Sequence, residues 1–361
     1  MTDMKRPITP RLITRRGLLR TGAAGATLLA APAILSRRSQ AADDKVIYVN
    51  SWGAGYTRAL KDAVFGPFTA ETGIEVRVVE PVSFAKLKAT VEAKTWDFDV
   101  TAFSSTEYYR AKEVGLVEPL DDKLFDRSKV NPICIFDEGV KAAVSSAQLI
   151  YRKDKFPNGG PRNWADFWDV KKFPGPRSLT ATPQTSLAFA LLADGVPKEQ
   201  LFPMDIDRAF KSLDKIKPHI KVWWTQAGQS EQLIKDGEVD MMSILSQRMP
   251  SLIQAGVPLT VVWDGAQSDT GVWFAAKGTP RKAAAMKFLE VFSQPKPQAG
   301  FCAAQSLGPS NPDALKFMTP EDVANSPTSP EHAKVSFTPD AAWLSPRLPK
   351  IQERFAEWLA T

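Results

Sequence analysis

Short apolar runs alternate with amphipathic windows along most of the chain. In the first part, the apolar runs at 45–50, 74–79 and 98–103 predict buried strands. The amphipathic windows at 57–71 and 84–94 predict helices between those strands. A β-α-β-α-β order of this kind is typical of an open, largely parallel α/β sheet. The fold class predicted for the chain is therefore α/β.

A second region with the same alternation follows a Gly- and Pro-rich turn at 154–161. Strands are predicted at 143–151, 178–182, 221–224, 239–245, 259–263 and 271–276, and helices at 186–192, 205–216, 230–235 and 280–292. We expect two lobes that are joined near 148 and again near 273. Lobe one is predicted to comprise 44–148 and 274–315, lobe two 149–273, and a tail at 316–361, helical from 348 to 359, to pack across both lobes.

The first 41 residues predict a twin-arginine signal peptide. Arg15 and Arg16 precede an apolar stretch at 17–35, and Ser39-Gln40-Ala41 supplies the small residues of a cleavage site. The alternative is a membrane anchor, which is disfavoured because the apolar stretch is short and two more arginines follow it. We therefore expect a periplasmic protein that is exported in the folded state.

The basic character of the chain belongs to this segment. The whole sequence has a net charge of +6, but residues 1–41 contain eight bases and one acid, so the remainder has 38 bases, 39 acids and a net charge of −1. This balance argues against a nucleic-acid partner. We expect a monomer after export.

The chain is poor in residues that carry catalysis or bind metals. It contains two cysteines and two histidines, and neither a phosphate-binding loop nor a His/Cys cluster at metal spacing occurs. Cys134 and Cys302 either form a disulfide or remain two buried thiols, which is the default expectation. Because His219 and His332 lie outside any catalytic motif, an exported hydrolase is disfavoured, and no enzyme activity or cofactor is expected.

Several segments of the second region resemble one protein family. They are Pro161–Trp168, Phe173–Gly175, Phe202–Phe210, Val222–Trp224, Asp236–Asp240 and Trp273–Gly278. Together they resemble the second lobe of spermidine/putrescine-type ABC transporter substrate-binding proteins, a family that includes relatives binding γ-aminobutyrate-like amino acids. The resemblance runs from about residue 45 to 317.

This resemblance implies a two-lobed type II periplasmic-binding-protein fold with hinge crossings near 144–151 and 271–276. It also implies a permease and an ATPase in the inner membrane as partners, and a small amine-bearing ligand that is trapped when the lobes close. The family often has a Gly-Arg pair where this chain has Gln247 and Arg248. An arginine in the pocket disfavours a dication and favours a ligand that carries a carboxylate.

Candidate ligand-binding residues follow the predicted strands, because ligands of open α/β sheets bind beyond the carboxyl ends of the strands. They are Trp52, Tyr56, Ser105, Tyr108, Ser186, Trp223, Gln226, Arg248 and Asp269. Arg248 can bind a carboxylate or form a structural ion pair. Asp269 can bind an amine or serve as a turn residue in 267–271. Ser186 can free backbone amides for an anion or simply cap a helix.

The aromatic candidates can stack on the ligand or face an ammonium group. Trp223 and Trp224 are adjacent in a predicted strand and point to opposite faces, so at most one of them lines the cleft. The adjacent Tyr108 and Tyr109 raise a rival function, ferric-ion carriage through phenolate oxygen. This pair lies in a helical window of lobe one, whereas ferric-binding relatives of the predicted fold carry theirs in lobe two.

Overall fold

The computed structural model describes residues 45–361, and the predicted twin-arginine signal peptide lies outside this range. Its ten strands are β1 (Val46–Asn50), β2 (Glu75–Val79), β3 (Val100–Ser104), β4 (Ile135–Phe136), β5 (Gly139–Arg152), β6 (Arg177–Thr180), β7 (Ile220–Trp224), β8 (Met241–Leu245), β9 (Leu259–Ala275) and β10 (Gly308–Pro309). Within the described range, no helix has the length and apolar character needed to cross a bilayer.

The helices of the first half of the described chain are α1 (Ala54–Leu60), α2 (Gly66–Thr72), α3 (Phe84–Ala93), α4 (Ser105–Glu113), α5 (Trp164–Trp168), α6 (Pro183–Ala193) and α7 (Ile206–Ile216). The remaining helices are α8 (Ala227–Lys235), α9 (Met249–Gln254), α10 (Lys282–Phe292), α11 (Pro295–Gln305), α12 (Pro320–Ala324), α13 (Pro330–Val335), α14 (Ala341–Leu344) and α15 (Leu348–Ala360). The pattern-based helices and strands are therefore largely confirmed, with ends that differ by a few residues.

All strands belong to one sheet in the order β2-β1-β3-β9-β5-β8-β6-β7, with β4 and β10 added to β5. The trios β2-β1-β3 and β8-β6-β7 are parallel, as the alternation predicts. The two central strands break this pattern, because β9 pairs antiparallel with β3 and β5 pairs antiparallel with both β8 and β9. The sheet is therefore mixed rather than largely parallel.

The strands predicted at 259–263 and 271–276 are a single strand of 17 residues. The Asp264-Gly265 pair, a turn signal in sequence, forms a bulge instead: Ala147 pairs with Gln267 while Leu149 pairs with Val262. Gly265 takes φ +69°, where a side chain would be strained, and its carbonyl accepts a 2.8 Å hydrogen bond from the Trp164 indole. The bulge lets one strand run through both halves of the sheet.

Each half of the sheet has its own hydrophobic core. The β1–β3 half packs around residues such as Phe68, Trp273 and Phe288, and on the other face around Phe103, Tyr108 and Phe274. The β6–β8 half packs around Trp164, Leu179 and Phe210, and on the other face around Ile150, Trp224 and Ile244. This division of the core agrees with two lobes. The residue boundaries of the lobes given above stay a prediction.

Both cysteines are buried free thiols, as the default expectation stated. Cys134 and Cys302 lie in the same core of the β1–β3 half. Burial raises the pKa of Cys134 to about 11, so its thiol is protonated at neutral pH.

The C-terminal helix α15 completes the core of the β6–β8 half. Ile351 and Phe355 are buried, and the Phe355 ring lies 5.9 Å from Trp223 and 6.3 Å from Phe210. The preceding helix α14 contacts α4 in the other half, and α15 contacts α6. The tail is thus an integral part of the folded structure.

We expect Phe355→Ala to lower the free energy of unfolding by about 3–5 kcal/mol, because it removes a buried ring and leaves a cavity beneath Trp223. Urea unfolding followed by tryptophan fluorescence measures this change. Glu357→Ala on the exposed side of the same helix is the matched control and should change stability by less than about 0.5 kcal/mol. Equal stabilities of the two variants would show that α15 is dispensable to the core.

Candidate functional site

The register of the central strands brings Asp269, in the middle of β9, close to the level at which β8 ends and Arg248 follows. Ala147 of β5 pairs with Leu245 of β8 on one side and with Gln267 of β9 on the other. β8 and β9 both run antiparallel to β5 and hence in the same direction. Arg248 comes three residues after Leu245, and Asp269 comes two residues after Gln267. With about 4.8 Å between neighbouring strands, β8 and β9 are about 10 Å apart.

Asp269 lies within β9, opposite Ser145, so the proposal that it is a turn residue in 267–271 is wrong. Its Oδ1 atom accepts a 2.8 Å hydrogen bond from Ser105 Oγ. Burial of the carboxyl group raises the pKa of Asp269, and hydrogen bonds from the Ser105 side chain and from the backbone of Ser105 and Thr270 oppose that shift. The candidate site therefore holds a partly buried carboxyl group that forms no ion pair with any described residue.

Ser105 follows β3 directly, as predicted, and is the first residue of α4. Ser104 caps the helix, since its side chain accepts a hydrogen bond from Glu107 N, and Ser104 also pairs with Gly271 at the end of β3. This pairing fixes the start of α4 beside Asp269. Strand pairing across the sheet thus determines where the Ser105 hydroxyl points.

Glu107 is a further residue of the candidate site, and it was not among the residues predicted from the sequence. It lies in the first turn of α4 and is partly buried. Burial raises the pKa of Glu107, Arg110 opposes this shift, and the nearby charge of Asp269 adds to it. The Ser-x-x-Glu spacing of 104–107 is a capping-box signal, which could have located the helix start and with it this second carboxylate.

Arg248 is the cation of the site on the β6–β8 side. Its Nη1 atom lies 3.8 Å from Glu231 Oε2, and Glu231 Oε1 accepts a hydrogen bond from Ser251 Oγ. The structural ion pair weighed for Arg248 is therefore present, but it is long and leaves the buried Nε atom without a hydrogen-bond partner. A buried guanidinium N–H without a partner is costly, and a ligand carboxylate would satisfy it.

Buried side-chain polar atoms without a partner occur on both faces of the central strands and at the strand ends beside them. Within residues 45–361, seven such atoms occur, and five of them belong to Ser146, Gln148, Gln184, Arg248 and Gln267. These residues lie on β5, on β9 and at the first turns that follow β6 and β8. Because native structures leave few buried polar groups unsatisfied, these atoms favour the middle of the sheet as the candidate binding region.

Three predicted aromatic residues pack in or against hydrophobic cores. Tyr108 is fully buried against Phe136 and Phe274, and its hydroxyl accepts a hydrogen bond from Glu138 N. It faces the sheet because α4 begins at Ser105. Tyr56 packs edge-on against Phe301 at 5.0 Å between ring centroids, within the core of the β1–β3 half.

Trp223 lies beneath α15, with its ring 5.4 Å from Trp358. Trp223 is partly buried, and its neighbour Trp224 is buried with its indole donating to Ser243 O. The C-terminal helix covers the face of β7 that Trp223 occupies. That one of the two rings lines the cleft stays a prediction.

The other predicted residues have mixed placements. Ser186 is fully buried and donates to Thr180 O at 2.6 Å, a structural contact. Gln226 is exposed at the end of β7, where α8 begins. Trp52 follows β1 and remains 50% exposed. The next residue, Gly53, has φ +92°, and a side chain at that position would lie very close to Glu80. Trp52 is therefore the aromatic candidate with a ring available to a ligand.

The structure does not place Tyr108 and Tyr109 as a pair of metal ligands, because the Tyr108 hydroxyl lies in the core and is already bonded. In the part of the chain that the structure describes, no group of three or more His, Cys, Asp or Glu side chains is arranged to hold a metal ion. The ferric-ion-carrier alternative was based on these two tyrosines, and their placement does not support it.

Sequence comparison relates the chain to known proteins. A family profile described as "Bacterial extracellular solute-binding protein" matches residues 63–331. A gamma-aminobutyric acid-binding protein of Pseudomonas aeruginosa is 34% identical over 327 residues, which cover 88% of this chain and 92% of that protein.

Solved structures confirm the fold. An ABC transporter substrate-binding protein from Bradyrhizobium japonicum USDA 110 has a TM-score of 0.83 and 33% identity, covering 87% of this chain and 99% of that one. A structure described as a GABA receptor has a TM-score of 0.79 and 33% identity, covering 87% and 97%. The two-lobed α/β fold predicted from the sequence is therefore confirmed.

Proposed function

Because the chain belongs to the family of bacterial extracellular solute-binding proteins and is the substrate-binding protein of an ABC transporter, we propose that its ligand is a γ-aminobutyrate-like amino acid. The ligand's ammonium group binds Asp269, and its carboxylate binds Arg248. The observation that carries this assignment is the placement of a carboxyl group without an ion pair and an incompletely bonded guanidinium near the level at which β8 ends, on β9 and after β8, which are two strands apart.

A zwitterion with separated charges fits this arrangement better than a polyamine does. A diamine would place its second ammonium group near Arg248, and like charges in a partly buried site repel strongly. An amino acid satisfies both ends with charge-assisted hydrogen bonds. The gamma-aminobutyric acid-binding relative and the GABA receptor structure support the same ligand class.

The ligand also explains lobe closure. Ser105 belongs to the β1–β3 half, whereas Arg248 follows β8 in the other half, and Asp269 lies on the strand that passes between them. A ligand that touches both halves stabilises the closed state more than the open one. Family membership implies an exported protein, and we propose the periplasm, the twin-arginine route, and docking of the closed form on a permease and its ATPase.

A thermal-shift panel tests the ligand class. At about 100 times its dissociation constant, a ligand adds about 2.7 kcal/mol to the stability of the folded state. We expect γ-aminobutyrate to raise the melting temperature, and putrescine, spermidine and 4-hydroxybutyrate to have little effect. Stabilisation by the polyamines without stabilisation by any amino acid would contradict the proposal.

We expect affinity for γ-aminobutyrate to rise with pH and then level off. Burial raises the pKa of Asp269 in the empty protein, and a ligand ammonium beside the carboxylate lowers it again. Binding thus expels a proton between these two pKa values. The stability of the ligand-free protein changes with pH in the opposite direction. Its free energy of unfolding falls as pH rises through the raised pKa of Asp269, because the folded state holds this proton more tightly than the unfolded chain does.

Isothermal titration in two buffers with different ionisation enthalpies measures the released proton. The Glu107 carboxyl group titrates in the same direction, since burial also raises its pKa, and the nearby Arg110 moderates that shift. The expected result is proton release at acidic pH that disappears above the raised pKa values. Proton uptake on binding would contradict an ammonium group at Asp269.

A further inference from the structure

We propose that Glu107 is a second carboxylate for the ligand's amine and restricts the site to primary ammonium groups, excluding N-methylated ones. This inference rests on the proposed function and deepens it, because it names the kind of amine that the site accepts. Glu107, Asp269 and Gln267 supply the three acceptors that a primary ammonium group needs.

The backbone places Glu107 on the same helical turn as a residue that already binds Asp269. Ser105 and Glu107 both lie in the first turn of α4, and the Ser105 hydroxyl donates to Asp269. The Ser104 side chain accepts from Glu107 N at 3.3 Å. The reciprocal hydrogen bond, which Ser104 N would donate to the Glu107 carboxylate to complete a capping box, is not formed.

The Glu107 carboxylate has no structural task among residues 45–361. It is partly buried, yet it forms no ion pair within 4 Å and no side-chain hydrogen bond in this range. The positive charge that acts on it is that of Arg110, whose guanidinium lies over the Phe84 ring at 4.1 Å from its centroid. A carboxylate that is partly withdrawn from water without a partner is unfavourable unless something else binds it.

Gln267 gives an independent indication that a donor is missing beside Asp269. Its side chain is only 7% exposed, and its buried Oε1 atom has no hydrogen-bond partner. Residues 267 and 269 pair with 147 and 145 in an unbroken register, so their side chains leave β9 on the same face. The Gln267 amide oxygen and the Asp269 carboxylate therefore share one face, and the Glu107 carboxylate lies at the adjoining start of α4. All three groups are hydrogen-bond acceptors.

A primary ammonium group has three N–H donors and no acceptor, which matches three acceptors. A trimethylammonium group has no donor and is recognised in proteins by aromatic faces. Tyr108 is buried in a core, and Tyr56 and Trp223 pack against cores. Trp52 is then the one aromatic candidate with an exposed ring, and a single ring does not form an aromatic cage. The chemistry of the site therefore favours an unmethylated amine.

The experiment is isothermal titration of the full mature protein with γ-aminobutyrate and with its N-trimethylated analogue, 4-(trimethylammonio)butyrate. Wild type is expected to prefer the primary amine by about 100-fold or more. Glu107→Gln should weaken γ-aminobutyrate binding by about 10-fold and reduce the preference for γ-aminobutyrate over the trimethylated analogue. Glu107→Asp should retain part of the affinity and part of the preference. Glu113→Gln, at an exposed carboxylate of the same helix, is the matched control and should bind as wild type does.

Unchanged γ-aminobutyrate affinity and unchanged preference in a folded Glu107→Gln protein would overturn the inference and leave the proposed function standing. A wild type that binds the trimethylated ligand equally well would overturn it in the same way. If wild type binds polyamines and neither of these amino acids, the proposed function fails and the inference fails with it. Melting temperatures of the ligand-free variants separate loss of binding from loss of folding.

Discussion

Asp269→Asn is expected to weaken γ-aminobutyrate binding by about 2–5 kcal/mol, at least about 30-fold in dissociation constant. The substitution keeps the size of the side chain and its ability to accept a hydrogen bond from Ser105, but it removes the charge that binds the ammonium group. The ammonium would then be desolvated without a full counter-charge, which accounts for the large penalty. Isothermal titration at neutral pH measures the change.

The stability of the ligand-free variant provides an internal check. Because burial of the charged carboxyl group is unfavourable, Asp269→Asn should not lower the melting temperature of the empty protein. Asp264→Asn, at an exposed carboxylate of the same strand, is the matched control and should bind as wild type does. An Asp269→Asn protein that binds γ-aminobutyrate normally would exclude Asp269 as the amine-binding group.

Arg248→Gln is expected to weaken γ-aminobutyrate binding by about 1.5–3 kcal/mol, roughly 10- to 150-fold, since hydrogen bonds to charged groups contribute in this range. The glutamine retains much of the side-chain volume and loses the cation. Binding of n-butylamine, which has the amine end alone, should be unchanged or slightly tighter, because a repelling charge is removed. The ratio of the two affinities is the decisive quantity.

Arg162→Gln is the control for loss of a positive charge, because that side chain is 84% exposed and only loosely paired with Asp166 at 3.8 Å. Its effect should be small, as is usual for exposed ion pairs. Equal losses for γ-aminobutyrate and n-butylamine in Arg248→Gln would indicate a general disturbance of the site. Such a result would count against carboxylate binding by Arg248.

The parts of the fold that follow local periodicity could be predicted from the sequence. Strands such as β1 and β2 and helices such as α3 and α7 follow from apolar spacing and were predicted within a few residues. The merger of 259–263 with 271–276 into β9 could not be predicted in this way. A Gly-containing turn signal and a β-bulge look alike in sequence, and only pairing with β5 distinguishes them.

The positions of the polar candidates agree better with the sequence argument than those of the aromatic candidates. Ser105 and Arg248 directly follow β3 and β8, as the rule that ligands bind at strand ends expects, whereas Asp269 lies within β9. Tyr108 and Trp223 pack in or against cores, because the face that a helix or strand side chain occupies depends on packing partners distant in sequence, here Phe274 and Trp358. Burial of this kind is a tertiary property that spacing alone does not reveal.

The central claim is the orientation of the ligand between a carboxylate and a guanidinium. A crystal structure of the mature protein with γ-aminobutyrate tests it most directly. We expect the ammonium nitrogen within hydrogen-bond distance of Asp269, about 2.7–2.9 Å, and the ligand carboxylate at the same distance from Arg248. A ligand bound in the reverse orientation, or at a site that includes neither residue, would contradict this account.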